Sequence, residues 1–396
     1  MTTTVCPHCG EAVEAGASFC EACGKPLGDG ASSSVAVAPP VNQSGPIDDL
    51  GSGPISAPTR QARTAEMPPP GTRACLSCGG VVGEDGYCES CGVKALSERD
   101  HFEQQPAPWV AGVCDKGIRH TRNEDAMALL ASETPGGRAV LVVLDGVSNT
   151  DDSQAGSLAG AKAALEVLRT PLPQGMGTPD ARRAAVASVF ADSVARANDG
   201  VVAATTEGTR HPASATYVAA VLEGGTVWFA NIGDSRAYWL PDGNPGTQLS
   251  VDDSGAQEQM AAGATRVDAE SGPMAHAITR WLGNDAPDLA PRVDSLDVDG
   301  PGWLLVCSDG LWNYASEPAD LDAQVTAAGT TEPLTLARAL VAFANAQGGQ
   351  DNITATLARL EAPVTGQNAD TEHASGPSSG PPSGPSSGPS SGESHG

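Results

Sequence analysis

The hydrophobic pattern divides the chain into a patterned centre and two unpatterned ends. Between residues 108 and 362, short apolar runs alternate with longer stretches of helical spacing. Ala139-Val140-Leu141-Val142-Val143-Leu144 is apolar at every position, so it predicts a strand buried on both faces. It ends abruptly in Asp145-Gly146. Trp303-Leu304-Leu305-Val306-Cys307 repeats the arrangement and ends in Ser308-Asp309-Gly310. Further strands are predicted over 110–114, 126–130, 215–222, 226–232, 236–240, 293–298 and 353–360. Gly224-Gly225, between two of these, is a two-residue hairpin signal. Alanines and leucines spaced for one face predict helices over 153–168, 180–204, 317–327 and 332–346. The polar stretch 252–288 has no strong period and predicts a mobile surface flap. Runs of strands and runs of helices segregated in this way define an α+β class with stacked antiparallel sheets.

The ends read differently. Proline and glycine concentrate before Pro108 and after Pro363, leaving about 250 residues for one sizeable core. Of the ten cysteines, eight stand in four Cys-x-x-Cys pairs. Cys6/Cys9 and Cys20/Cys23 are separated by ten residues, and Cys75/Cys78 and Cys88/Cys91 by nine. Each pair is followed by glycine, which frees a tight turn to present two thiolates to one tetrahedral metal. Units this short cannot bury a core, so zinc binding, on the order of 10 kcal/mol, supplies the folding energy. Four thiolates also suit a rubredoxin-like iron, whereas redox-active pairs need a βαβ setting that is absent here. The expected organisation is a zinc ribbon over 1–27, a disordered linker over 28–71 and a second ribbon over 72–95. A short linker over 96–107, the globular domain over 108–362 and a disordered Gly/Pro/Ser tail over 363–396 complete it.

Charge narrows the partners. Forty-eight acidic residues against 22 basic ones give a net charge of −26, which disfavours nucleic acid and anionic membrane surfaces. Glu11, Glu14 and Glu21 against Lys25 make the first ribbon acidic too, so a protein-docking role suits it better than nucleic-acid binding. No stretch reaches the ~20 apolar residues of a membrane span and no signal-peptide core is visible, so a soluble, cytoplasmic protein is expected. Cys114 and Cys307 fall inside apolar strand patterns and are expected to pack as small hydrophobes. No basic residue adjoins Cys307 to activate it as a nucleophile.

The chemistry lies with the acids. Glu124, Asp125, Asp145, Asp234, Asp309 and Asp351 all fall at strand ends or in the loops beside them. Two carboxylates ~4 Å apart repel by about 4 kcal/mol at an effective dielectric near 20. If these acids converge, divalent cations must neutralise them; if not, they are solvated turn residues. Spacing leaves both outcomes open.

Six motifs nevertheless occur in a familiar order: Asn123-Glu124-Asp125, Asp145-Gly146, Gly233-Asp234-Ser235-Arg236, Ile278-Thr279-Arg280-Trp281-Leu282-Gly283, Ser308-Asp309-Gly310 and Asp351-Asn352. From about Trp109 to Leu360 the chain resembles the bacterial branch of the metal-dependent protein phosphatases of type 2C. The resemblance implies a four-layer αββα sandwich of two antiparallel sheets flanked by helices, following the two small zinc ribbons. It implies two Mn²⁺ or Mg²⁺ ions bridged by Asp145, with the Gly146 carbonyl on one and Asp309 and Asp351 on the other. Glu124 would act through metal-bound water, Asp125 would orient that shell, and Asp234 with Asp309 would match a weaker third site. Water between the ions would attack phosphorus in line, without a phosphoenzyme.

Two departures stand out. Family members commonly carry a phosphate-gripping arginine five residues before the Asp of Asn-Glu-Asp. Here that position is His120, flanked by Arg119 and Arg122 as candidate substitutes. The glycine-rich turn usual after Asp-Gly is replaced by Val147-Ser148-Asn149-Thr150-Asp151-Asp152. The expected function is a protein serine/threonine phosphatase in bacterial signalling, acting on phosphoproteins of a serine/threonine kinase, with the ribbons docking a partner. The alternative is a catalytically weak, metal-loaded adaptor that binds phosphoproteins or a regulatory partner.

Overall fold

Residues 3–5, 12–14, 75, 79–95, 97–175, 177–272 and 274–361 are described in a computed structural model of the chain. Cys6, Cys9, Cys20, Cys23 and Cys78, the 28–71 linker and the 363–396 tail lie outside the described residues. The chain separates into two units, Met1–Met67 and Pro68–Gly396. In the first, strands β1 (Thr3–Val5) and β2 (Ala12–Glu14) form an antiparallel hairpin in which Thr4 opposes Val13.

The second unit holds the remaining elements. Strands β3 (His101–Ala107), β4 (Val110–Asp115), β5 (Ala126–Ala131) and β6 (Arg138–Leu144) come first. Two long helices follow, α1 (Ser153–Leu168) and α2 (Pro179–Ala203). Next are β7 (Ser214–Ala215), β8 (Tyr217–Glu223), β9 (Thr226–Ile232), β10 (Arg236–Pro241) and β11 (Thr247–Gln248). Short helices α3 (Gly255–Ala261) and α4 (Arg266–Glu270) precede β12 (Leu282–Gly283), β13 (Arg292–Asp297) and β14 (Gly302–Cys307). The chain then runs through α5 (Asp309–Trp312), α6 (Pro318–Ala328), α7 (Pro333–Ala346) and β15 (Ile353–Leu360).

The strands build a six-stranded sheet in the order β11-β10-β14-β15-β4-β3 and a five-stranded sheet in the order β13-β9-β8-β6-β5, antiparallel throughout. Period-two alternation on buried strands supplies two apolar faces each. On β6, Val140, Val142 and Leu144 pack with α1 and α2, while Ala139, Leu141 and Val143 face the other sheet. On β14, Leu304 and Val306 join that inter-sheet core, while Trp303, Leu305 and Cys307 pack under α5, α6 and α7. The result is the expected αββα sandwich, with both apolar strands buried on both faces. Gly224 and Gly225 take φ of 62° and 79°, the left-handed pair a two-residue hairpin requires.

Two expectations need correction. The linker drawn over 96–107 is, along His101–Ala107, an edge strand paired with β4. The 252–288 stretch is not a patternless loop but carries α3 and α4. Asp252, Asp253 and Ser254 are buried at its root, where Asp253 N donates to the Gly233 carbonyl at 2.8 Å and Asp253 Oδ2 accepts from Gly233 N at 3.0 Å.

Candidate metal centre

Each acid is delivered by the end of a core strand. Asp145 follows β6, and Thr216 clamps it from both sides. Asp145 N donates to Thr216 Oγ1 at 3.0 Å, and Thr216 N donates to the Asp145 carbonyl at 2.8 Å. Asp309 follows β14 and opens α5. Asp351 lies two residues before β15, and the intervening Asn352 ties it to the neighbouring loops. Its Oδ1 accepts from Glu124 N at 2.7 Å, and its Nδ2 donates to the Lys116 and Arg122 carbonyls at 2.8 and 3.1 Å. Glycine lets these backbones meet. A Cβ on Gly310 would lie 1.9 Å from the Asn352 carbonyl oxygen, and one on Gly117 (φ 74°) 2.1 Å from that of Asp351.

The acids converge. Burial, followed by the charges of Asp125, Asp309, Asp351 and Asp234, pushes Asp145 well above the usual carboxylate range. Burial and then Asp351, Asp234 and Asp125 do the same to Asp309. Asp125 is pushed up to about 6 by burial, although Ser308 Oγ and Thr354 Oγ1 donate to its Oδ2 at 2.6 and 2.7 Å. Burial and the neighbouring Asp252 carry Asp234 to about 7 against the opposing charge of Arg236. Asp125 and Asp234 are fully enclosed, whereas Asp145, Asp309 and Asp351 keep part of their surface open. Asp125 Oδ1 and Asp309 Oδ1 are shielded from water and have no hydrogen-bond partner among the described residues. Orphaned carboxylate oxygens within a cluster of mutually repelling acids are what a hard divalent cation binds, so the donor set fits Mn²⁺ or Mg²⁺. A cleft of about 400 Å³ opens beside Asp309 and Asp351, lined also by His276, Asn313, Tyr314 and Gln350.

Glu124 behaves differently. Burial opposes its ionisation, yet the adjacent His120 and hydrogen bonds from Ser153 and Arg122 hold it down at about 2. Ser153 Oγ lies 2.5 Å from Oε1, and Arg122 reaches the same oxygen through Nε and Nη2 at 2.9 and 2.7 Å. His120 stands between two of the acids, its Nδ1 3.6 Å from Glu124 and its Nε2 3.2 Å from Asp351. The nearby carboxylates of Glu124 and Asp351 raise its pKa against the effect of burial. Arg119 is exposed and makes no side-chain hydrogen bond among the described residues. Of the three cationic candidates, His120 and Arg122 are therefore engaged with the acids and Arg119 is not.

The second cysteine turn also assembles. Cys75, Cys88 and Cys91 bring their sulfurs within 4.8 Å of one another, with Cys75 Sγ 3.9 Å from Cys91 Sγ. Gly79 and Gly92 take φ of 76° and 69°, and their amides donate to the Cys75 and Cys88 carbonyls. Three sulfurs around one point fit a thiophilic ion such as zinc. Cys114 and Cys307 are fully enclosed. Burial pushes both thiols up, that of Cys114 to about 12.

Sequence reading missed the residues that hold the acids: Ser153, Thr216, Ser308, Thr354 and, before β3, Arg99. Ser308 had a signal, since it immediately precedes Asp309. The others act across long separations that no local pattern marks.

An αββα sandwich with a cluster of acids where its strands end offers the oxygen donors that a hard cation takes. The chain belongs to the protein phosphatase 2C family, whose model matches residues 118–346, and residues 6–92 match the double zinc ribbon. The serine/threonine phosphatase stp of Listeria welshimeri is 33% identical over 157 residues, covering 39% of this chain. That match spans 60% of the Listeria protein's own length, less than two thirds. Protein phosphatase PhpP of Streptococcus pneumoniae is 28% identical over 254 residues, 62% of this chain and 95% of that protein. The solved structure of the S. agalactiae serine/threonine phosphatase superposes with a TM-score of 0.52 at 22% identity, covering 66% of this chain and 100% of that one. At that identity the likeness is one of fold.

Proposed function

We propose that this protein is a serine/threonine phosphatase acting on phosphoproteins, dependent on Mn²⁺ or Mg²⁺. The observation that carries the reading is the convergence of Asp125, Asp145, Asp234, Asp309 and Asp351, with two of their oxygens left without a partner among the described residues. Asp145, the Gly146 carbonyl, Asp309 and Asp351 would hold two ions. Glu124 would act through intervening solvent, and Asp234 with Asp309 would hold a third, weaker one. Divalent cations there would supply Lewis-acid activation of water for attack on phosphorus. The protein's own part is preorganisation. Ser308 and Thr354 occupy Asp125 Oδ2, Thr216 fixes the backbone of Asp145, and Ser153 with Arg122 keeps Glu124 ionised. His120, at the sequence position of the family's arginine, lies between Glu124 and Asp351, whose carboxylates favour its protonated form. Arg119 and Arg122 are the further candidates for the substrate phosphate. With both enclosed thiols held neutral, direct hydrolysis is favoured over a cysteinyl intermediate.

The cysteine turns would hold two structural zinc ions, and the ribbons would dock a partner or the phosphoprotein of a cognate serine/threonine kinase. Eight thiolates suit a reducing, cytoplasmic setting. No helix among the described residues is long and apolar enough to cross a membrane. The deciding experiment is phosphate release from a phosphothreonine peptide, with and without Mn²⁺. Release that requires Mn²⁺ or Mg²⁺ and stops with EDTA is expected. Full activity in chelator, or none with either ion, would overturn the reading.

A further inference from the structure

Arg99 lies outside the family-matched residues 118–346, in a turn between the second cysteine site and β3. The turn closes on itself: Ser97 N donates to Asp100 Oδ2 at 2.6 Å, and Asp100 N donates to Ser97 Oγ at 3.1 Å. It is then fixed onto the acidic motif from several directions. Lys116 N donates to the Asp100 carbonyl at 2.7 Å, and Asn123 Nδ2 donates to the Arg99 carbonyl at 3.1 Å. In return, Arg99 Nη2 donates to the carbonyl of Asp125. The same nitrogen lies 3.4 Å from Gln154 O and 3.4 Å from Ser157 Oγ on α1, the helix whose Ser153 holds Glu124. The guanidinium lies over the Phe102 ring at 5.2 Å. Among the described residues, Arg99 Nε and Nη1 are shielded from water without a hydrogen-bond partner, and Arg99 makes no ion pair. Shielding so much of a guanidinium is costly. What it secures is one polar grip on the backbone that carries Glu124 and Asp125.

We propose that Arg99 is a positioning residue for the carboxylate cluster. Its bond to the Asp125 carbonyl, answered by Asn123, sets the backbone of Asn123-Glu124-Asp125 and so the affinity of the cluster for divalent cations. Groups that orient ligands from outside the metal's own shell typically change metal affinity by about 10–100-fold when removed. Only the effect on turnover rests on the phosphatase reading; the effect on cation binding does not. Arg99→Met keeps an unbranched stem over Phe102 and removes the donor, whereas Arg99→Lys keeps a donor. Arg338→Ala is the control, because it breaks only the surface pairing of Arg338 with Glu103 on β3, at 2.6 Å.

The test is calorimetric titration of the full, Mn²⁺-free chain with Mn²⁺, with circular dichroism to verify folding. Arg99→Met should bind Mn²⁺ about tenfold or more weakly than wild type. Arg99→Lys should recover most of the loss, and Arg338→Ala should match wild type. At saturating Mn²⁺, the turnover lost by Arg99→Met on p-nitrophenyl phosphate should fall on kcat rather than KM. Wild-type affinity in Arg99→Met would overturn the proposal. So would equal weakening in the Met and Lys variants, which would make the effect one of packing, or an equal loss in Arg338→Ala. A wild-type chain that binds Mn²⁺ yet releases no phosphate would refute the phosphatase reading, while the affinity comparison still decides the role of Arg99.

Discussion

Asp125 has one carboxylate oxygen held by two hydroxyls and the other held by nothing among the described residues, and its neighbours repel it. That arrangement has a thermodynamic signature. An acid whose folded pKa lies above its unfolded value of 3.8 keeps its proton in the fold after the unfolded chain has lost its own. Stability then falls as pH rises from about 4 through the folded values, about 6 for Asp125 and about 7 for Asp234. The EDTA-treated protein should therefore melt at a lower temperature at pH 8 than at pH 5. Mn²⁺ should stabilise it more at the higher pH, because the ion binds deprotonated carboxylates. A midpoint in EDTA that rises across that interval would show that the acids are not crowded together. Asp145→Asn keeps volume and removes the central charge, so it should abolish nearly all turnover while the circular dichroism spectrum is retained. A wild-type rate would take Asp145 out of the metal site.

The strands and long helices of the core were legible because their patterns are pure: β6 from Ala139 onward and all of β14 are apolar, and α1 and α7 repeat alanine and leucine on one face. Strand β3 was not, for a physical reason. His-Phe-Glu-Gln-Gln-Pro-Ala pairs on one side only, carries polar side chains on a largely open edge, and takes its proline at a register shift between Gln104 and Ala107. Helices α3 and α4, of seven and five residues, are too short to show a period and begin at Ser254 and Thr265 side-chain caps. The acids were named from the sequence, and the family resemblance implied that they converge, but their spacing alone could not show it. Convergence depends on contacts such as Glu124 N to Asn352 Oδ1, 228 residues apart. At the join between these short helices and the sheet, Arg236 is the anchor. Its side chain is 1% exposed, pairs with Asp252 through both Nε and Nη2, and lies 3.5 Å over the Trp312 ring. Trp312 Nε1 in turn donates to the Asp234 carbonyl at 2.9 Å. Arg236→Met should destabilise the domain by about 3–5 kcal/mol in urea unfolding, because it strands the buried Asp252. A loss within experimental error would show that solvent reaches Asp252 and that the pairing is not an anchor.

Taken whole, the molecule is an anion, with 48 acidic residues against 22 basic ones. A basic phosphopeptide should thus be turned over faster than an acidic one at low ionic strength, by on the order of tenfold through steering. The ratio should shrink as salt shortens the Debye length from about 30 Å at 0.01 M to about 8 Å at 0.15 M. An unchanged ratio would assign the preference to local contacts instead. The order of strands has another outcome, in the time course of synthesis. Strand β15, the last among the described residues, lies between β14 and β4 at the middle of its sheet, and Asp351 and Asn352 directly precede it. The five-stranded sheet, which ends with β13, can close before residue 300 has been made. Its six-stranded partner has no centre until residues 353–360 emerge, so β4 must wait beside an open position for most of translation. A chain released early would carry one finished sheet, one exposed apolar face and an acidic cluster without Asp351.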